Sequence, residues 1–184
     1  DMSTGSLGQG ISAAAGMALA GKLDHKDYKV FCVVGDGESQ EGEIWEAANT
    51  AHKYKLDNLI VFVDCNNLQL DGTCDEVMPN GDLGEKFRAF GWETLEIDGH
   101  SMEEIACNVD RILVLRGSHV YMDGTPRQVF RRADDLEDVG LDVPQATKIA
   151  LALRRMGLEI DTAVYTVDEL EQALLSVRGE AGVC

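Results

Sequence analysis

The sequence predicts an α/β fold, in which a partial parallel sheet is followed by a short β-hairpin and a helical tail. Two short apolar runs, residues 29–34 and 59–63, have the composition of buried strands. Between them, residues 43–54 are predicted to form a helix. A strand–helix–strand succession with apolar strands is typical of a parallel sheet.

The first hundred residues predict two further kinds of element around this unit. Residues 8–23 (GQGISAAAGMALAGKL) predict a helix that is rich in alanine and glycine. Its interior glycines cost about 1 kcal/mol each relative to alanine, so we expect close backbone packing there, as at a subunit interface. Residues 87–91 are predicted to close a short helix, and residues 92–97 to form a third strand.

The second half predicts a hairpin and several helices. Residues 111–115 and 119–122 form two short strands around a turn at 116–118, and a second turn at 123–126 precedes a helix. The helices are predicted at residues 102–107, after Pro126, at 144–156, and at 167–177 with Thr166 as its cap.

Composition excludes several classes of partner. The chain has 184 residues, and its 33 acidic and 16 basic side chains give a net charge of −17. Such a surface repels nucleic acids and anionic membranes, and no apolar stretch is long enough to be inserted in a bilayer. Five cysteines without metal-ligand spacing predict a reducing, cytoplasmic location. The first residue is Asp1 rather than Met, which predicts a fragment.

The use of lysine and arginine changes along the chain. Residues 1–100 contain six Lys and one Arg, whereas residues 101–184 contain one Lys and eight Arg. One interpretation is chance in a small sample. The other is that the two parts have different origins, with a junction near residues 98–107.

The chemistry of the sequence is concentrated after the two apolar runs. Gly35-Asp36-Gly37 follows the first run, and Asn66-Asn67 follows the second. Asp36 supplies a carboxylate, Asn66 supplies an amide oxygen, and the glycines let the backbone approach phosphate oxygens. Hard cations such as Mg²⁺ use these oxygen ligands and often share them with phosphates. Each segment alone is also compatible with a simple turn.

Three segments resemble the transketolase family. GDGESQEGEIWEAANTAHKYKLDNLIVFVDCNNLQLDG resembles the thiamine diphosphate motif of that family, and TGSLGQGISAAAGMALA and FGWETLEIDGH continue the similarity on either side. Together they cover about residues 1–100, in the order and spacing of the family. The resemblance therefore implies a partial thiamine-diphosphate-binding transketolase domain over residues 1–100.

The resemblance implies roles for eight residues. Mg²⁺ would be coordinated by Asp36, Asn66 and the backbone carbonyl of Leu68, and the Gly37 amide would lie near the diphosphate. Residues lining the cofactor near its rings would be Gly5, Ser6 and Leu7, and Glu41 would lie at a subunit interface. The other glutamates between Glu38 and Glu46 are interpreted as a solvated helix face.

The implied function is that of the cofactor-binding portion of a cytoplasmic transketolase of the pentose phosphate pathway. It would transfer a two-carbon ketol unit between sugar phosphates with thiamine diphosphate and Mg²⁺. The family's substrate-binding histidines and its activating glutamate fall outside the matched segments, so no catalytic residue is assigned and the chain alone is expected to be inactive. Its expected partner is a C-terminal transketolase domain or subunit, in an oligomer.

Residues 100–177 resemble another family. HSMEEIACNVDRILVLRGSHVYMDGTPRQVF and GLDVPQATKIALALRRMGLEIDTAVYTVDELEQALL resemble the C-terminal region of energy-coupling factor ABC transporter ATPases. The phosphate loop and general-base segment of that family do not occur here, so neither binding nor hydrolysis of ATP is expected of this segment alone. His100 matches the family's switch histidine, although a turn position is the favoured interpretation. The alternatives are thus an ATPase fragment over residues 101–184 or a non-functional hybrid.

Overall fold

The structure is a computed structural model that describes residues 2–180 and the side chains up to residue 177. The chain forms two compact units, one up to Glu96 and the other from Ile97. This division lies beside the predicted junction, but the separate origin of the two parts stays a prediction.

The first unit contains the predicted strand–helix–strand core. In chain order its elements are α1 (Gln9–Leu23), β1 (Val30–Gly35), a 3₁₀ turn (Glu38–Gln40), α2 (Gly42–Tyr54), β2 (Leu59–Asp64), β3 (Leu68–Gln69), β4 (Gly72–Thr73), α3 (Cys74–Val77) and α4 (Leu83–Ala89). Strands β1 and β2 are parallel over six residue pairs, from Val30 with Leu59 to Gly35 with Asp64. These bounds confirm the predicted parallel pair and both long helices.

The small side chains of α1 explain how the core is packed. Four apolar residues on one side of this helix are buried against β1 and α2: Ile11, Ala14, Ala15 and Ala18. On β1, alternate residues Cys32 and Val34 face the same core. Phe31 and Val33 point the other way and are 62% and 74% exposed, so the described residues cover only one face of a strand pair that was predicted to be buried.

The predicted third strand at residues 92–97 is wrong. The structure has no strand there, because a strand needs a partner for its backbone groups and none of the described strands pairs with these residues. Trp92 is instead fixed by its side chain, whose Nε1 donates to the carbonyl oxygen of Ala48 at 3.0 Å. The short helix also lies earlier than predicted, since Asp82 caps it by accepting from the Glu85 amide at 2.7 Å.

The second unit is a hairpin followed by helices. Its elements are α5 (Met102–Asn108), β5 (Ile112–Arg116), β6 (His119–Gly124), α6 (Pro126–Phe130), α7 (Ala133–Glu137), α8 (Gln145–Arg155) and α9 (Val167–Glu180). Strands β5 and β6 are antiparallel, and their turn places Gly117 and Ser118 at φ of 55° and 65°. That conformation suits a two-residue hairpin turn and confirms the predicted hairpin.

Local signals also determine where the helices of this unit begin. Thr125 and Gln128 form a reciprocal capping box, with Pro126 in the first turn of α6. The Glu169 amide donates to Thr166 Oγ1 at 3.2 Å, which confirms the predicted cap of α9. Within the described range, no helix combines the length and the apolar run that crossing a bilayer requires.

Candidate cofactor site

Asp36 lies at the carboxyl edge of the parallel strand pair. Because β1 and β2 run in the same direction, Gly35 and Asp64 end at the same edge, and the Asp36 amide donates to the Asp64 carbonyl at 3.1 Å. The Asp36 side chain is buried, and its Oδ1 accepts from the Gly37 amide at 2.7 Å. Its Oδ2 accepts from the Asn67 amide at 2.6 Å. The structure thus brings the two predicted segments together.

A glycine is needed at position 37 because a side chain would not fit there, and not because of its backbone conformation. Its φ is −62°, which any residue can adopt. A Cβ at Gly37, however, would lie 2.7 Å from Cβ of Gln69 and 3.4 Å from the carbonyl oxygen of Leu68. The missing side chain therefore lets residues 68 and 69 pack onto the Asp36 turn, with the Leu68 carbonyl oxygen beside it.

Asn66 and Asn67 build the turn that faces Asp36. Asn66 is exposed, its Oδ1 accepts from the Leu68 amide at 2.9 Å, and its Nδ2 donates to Asp64 at 3.0 Å. Asn67 exchanges two hydrogen bonds with Asp75, at 3.0 and 3.2 Å. The asparagines therefore shape a turn, and the Asn66 amide oxygen retains a second lone pair for a ligand.

The donor chemistry of this edge suits a hard cation. A carboxylate, an amide oxygen and a backbone carbonyl are oxygen ligands of the kind that Mg²⁺ uses together with phosphate oxygens. Among the described residues, no group of three or more His, Cys, Asp or Glu side chains is placed to hold a metal. Any ion held at this edge would accordingly need these mixed oxygen donors and further oxygens from a ligand.

The neighbouring thiols do not add soft ligands. Burial is the main cause that raises the pKa of Cys65, with the charge of Asp36 next. Burial also raises the pKa of Cys74, followed by a hydrogen bond to Asp36. Both shifts favour the neutral thiol over the thiolate that soft metal ions bind.

A cavity of about 280 Å³ opens beside the Asp36 turn. Its lining residues are Leu7, Gly35, Gly37, Glu38, Leu68, Gln69 and Leu70. Of the predicted ring-side residues, the structure brings Leu7 to this cavity, whereas the exposed Gly5 and Ser6 are not in its lining. The buried Nε2 of Gln69 has no hydrogen-bond partner among the described residues, which leaves an unpaired donor beside the cavity.

Two residues of this edge were missed by sequence reasoning. Glu38 was assigned to a solvated helix face, but its carboxylate accepts from the Gly8 amide at 2.9 Å and from the Gly35 amide at 3.2 Å. Asn80 donates to the Asp36 carbonyl at 2.7 Å. Gly8 is 30 residues from Glu38, and Asn80 is 44 residues from Asp36, so no local pattern could reveal either contact. Glu41 is exposed at the start of α2, and its interface role stays a prediction.

Comparison with known proteins gives one family and several partial relatives. Residues 1–115 match the family model described as "Transketolase, thiamine diphosphate binding domain". The chain is 52% identical over 111 residues to the 6-deoxy-6-sulfo-D-fructose transketolase subunit SqwG of Clostridium sp. (strain MSTE9). It is 48% identical over 105 residues to an apulose-4-phosphate transketolase subunit of Phocaeicola vulgatus.

The matched regions are partial on both sides. They span 60% of this chain and 40% of the Clostridium protein, and 57% of this chain and 37% of the Phocaeicola protein. The crystal structure of transketolase from Campylobacter jejuni matches with a TM-score of 0.52 and 40% identity, over 55% of this chain and 17% of that one. The family match continues 15 residues beyond the predicted limit of 100. The comparisons give no support to the predicted ATPase segment.

Proposed function

Because the chain belongs to the transketolase thiamine diphosphate binding domain family, we propose that its first unit is the cofactor-binding portion of a transketolase that also holds Mg²⁺. One observation carries the magnesium proposal. Both oxygens of the buried Asp36 carboxylate accept backbone amides, from Gly37 and from Asn67. This pair of bonds fixes a carboxylate beside the asparagine turn at a single sheet edge.

Each predicted site residue has a proposed task. Asp36, Asn66 and the carbonyl of Leu68 hold Mg²⁺, which neutralises diphosphate charge and fixes its position. The Gly37 backbone approaches the diphosphate. Leu7, with Gly5 and Ser6 before it, contacts the ring side of the cofactor. Thiamine diphosphate supplies the carbanion chemistry of ketol transfer, and these residues bind and orient it.

The complete reaction requires partners. Both the Clostridium and the Phocaeicola relatives are described as subunits, which supports a second transketolase domain or subunit that completes the site in an oligomer. The exposed apolar face of β1 and β2 also favours association. We propose a two-carbon ketol transfer between sugar phosphates in the cytoplasmic pentose phosphate pathway, with no catalytic residue in this chain and no activity of the chain alone.

The second candidate concerns residues 101–184. The hairpin, the capped α6 and the helices α8 and α9 follow one another in this segment, and an origin in an energy-coupling factor ATPase rests on the sequence resemblance alone. A non-functional hybrid is the remaining alternative. Neither alternative predicts stabilisation by thiamine diphosphate, which separates both of them from the leading proposal.

Isothermal titration calorimetry with thiamine diphosphate in the presence and absence of Mg²⁺ tests the proposal. The wild-type chain should bind the cofactor in a Mg²⁺-dependent manner. In a separate thermal unfolding measurement, thiamine diphosphate with Mg²⁺ should raise its melting temperature, because the ligand binds only the folded state. Asn66→Ala removes an exposed metal ligand and should weaken binding by about tenfold or more. Asn49→Ala, an exposed substitution on α2, should leave affinity unchanged.

Two results would contradict the proposal. Absence of cofactor binding by the wild-type chain would remove the first unit from consideration as a cofactor site. A melting temperature that thiamine diphosphate leaves unchanged would favour the two alternatives, the ATPase fragment and the hybrid.

A further inference from the structure

Glu38 connects two walls of the proposed cofactor cavity. Its Oε1 accepts from the Gly8 amide and its Oε2 from the Gly35 amide. Leu7, the neighbour of Gly8, and Gly35 itself both line the cavity. We propose that Glu38 is a positioning residue that holds Leu7 against the end of β1, so that the ring side of the cavity keeps its shape. This inference rests on the proposed cofactor function.

The two hydrogen bonds accepted by Glu38, called the Glu38 tie below, connect the start of α1 with the end of β1, which are not joined by strand pairing. Gly8 is the N-cap position of α1 and Glu38 begins the 3₁₀ turn after Asp36. Amides at the start of a helix have no partner within the helix, and a carboxylate there gains a charge-assisted hydrogen bond. Gly35 ends β1. One side chain therefore fixes the entrance of α1 and the exit of β1 in a single bidentate contact.

The conformation of Gly8 and the absence of a side chain there also allow the segment after Glu38 to approach the start of α1 closely. Its φ is 84°, in the left-handed region that favours glycine. A Cβ at Gly8 would lie 3.2 Å from Cβ of Glu41 and 3.3 Å from Cβ of Glu43. The segment that follows Glu38 thus packs directly on Gly8, which brings the Gly8 amide within reach of the Glu38 carboxylate.

The charge of Glu38 makes the positioning role separable from an electrostatic one. A negative side chain beside a diphosphate repels it, so neutralising Glu38 should strengthen binding if its charge alone mattered. In the structure both carboxylate oxygens are occupied by backbone amides. Replacing one oxygen by an amide nitrogen places a donor opposite a donor and breaks part of the tie. A positioning role therefore predicts weaker binding on neutralisation.

Calorimetry on Glu38→Gln and Glu38→Ala, with Glu46→Gln as the control, tests this inference. Glu46 is an exposed glutamate of α2. Two probes are used, thiamine diphosphate with Mg²⁺ and inorganic diphosphate with Mg²⁺. We expect the Glu38 variants to lose about tenfold in affinity for thiamine diphosphate, the size of one charged hydrogen bond. Their affinity for inorganic diphosphate, which does not reach the ring side, should change much less.

Two further measurements keep the test independent of folding yield. Amide hydrogen exchange at Gly8 and Gly35 should be faster in the Glu38 variants. Leu7→Ala, a change in an exposed side chain, should reproduce the selective loss for thiamine diphosphate while the Glu38 tie is intact.

The outcomes separate the two proposals. If the wild-type chain binds no thiamine diphosphate, the proposed function fails. If it binds and either Glu38→Gln or Leu7→Ala binds equally well, the positioning role is wrong. Equal losses for both probes, together with a lower melting temperature, would assign Glu38 a purely structural role, and tighter binding by Glu38→Gln would assign it an electrostatic one.

Discussion

The two units of the chain use buried polar groups in different ways. In the first unit, Asp36 and Glu38 bind the backbone of segments about 30 residues away, and these contacts converge on a cavity. In the second unit, the buried Thr147 donates to the Val164 carbonyl at 2.5 Å within the helical core. The comparison indicates that polar contacts shape a cavity in one unit and stabilise a packed core in the other.

The largest expected effect comes from the core of the second unit. Phe130 is 3% exposed, and Phe130→Ala should lower the free energy of unfolding by about 3–5 kcal/mol. Thiamine diphosphate affinity of the folded protein should be unchanged, because every proposed cofactor residue lies in the first unit. Urea unfolding followed by circular dichroism, with calorimetry below the transition, measures both.

Phe62→Ala is the matched control for that experiment. Phe62 lies on the uncovered face of β2 and is 55% exposed, so its truncation should cost much less than the truncation of Phe130. A loss of cofactor affinity in Phe130→Ala as large as tenfold would break the functional separation of the two units.

Sequence patterns predicted the elements that local chemistry determines. The apolar runs predicted β1 and β2, the turn at residues 123–126 and the cap at Thr166 predicted the starts of α6 and α9, and strand direction places Asp36 beside Asn67. These outcomes depend on neighbours in sequence or on the regular geometry of a parallel pair.

The failures depend on distant partners. Residues 92–97 have strand composition, but only a neighbouring strand could make them one. The residues on both faces of β1 are apolar, so composition could not indicate that Phe31 would be exposed and Cys32 buried. Glu38 sits among other glutamates, and its contact with Gly8 depends on how α1 approaches β1. Tertiary packing, which the sequence pattern does not reveal, thus explains the failed predictions in the fold and at the site.

A smaller effect is expected from removing one buried hydroxyl group in each unit. Ser39 Oγ donates to the Gly35 carbonyl at 3.0 Å, and Thr147 Oγ1 donates to Val164. Ser39→Ala and Thr147→Val each remove a buried hydrogen bond and should lower the free energy of unfolding by about 1–3 kcal/mol. Only Ser39→Ala should also weaken thiamine diphosphate binding, because Gly35 lines the cavity.

Conservative variants sharpen this pair. In urea unfolding, Thr147→Ser retains the hydroxyl and should recover most of the lost hydrogen-bond energy, whereas Ser39→Thr also adds a methyl group at a position that is 1% exposed and should recover less. Weaker cofactor binding in Thr147→Val, or unchanged binding in Ser39→Ala, would contradict the division of roles between the units.

The smallest effect is expected at the exposed end of the hairpin. Arg111 Nε donates to Asp123 Oδ1 at 2.6 Å, and this hydrogen bond is the main cause that lowers the pKa of Asp123. A carboxyl group whose pKa is lower in the folded than in the unfolded state stabilises the folded protein at pH values above its unfolded-state pKa, which is about 3.9. That contribution is lost as the pH falls through the folded pKa, so acid should weaken the hairpin.

Arg111→Met, which keeps an unbranched stem and removes the guanidinium group with its charge, isolates this effect. Carboxyl-carbon NMR should show the Asp123 pKa rising towards its ordinary value in the variant. The wild type should be slightly more stable than the variant at pH 7, and this difference should shrink as the pH falls through the folded-state pKa of Asp123 and the carboxyl becomes protonated. The difference should be small, since both partners are exposed. An unchanged Asp123 pKa in the variant would mean that this ion pair does not persist in solution, and the second unit would then depend on its apolar cores and helix caps.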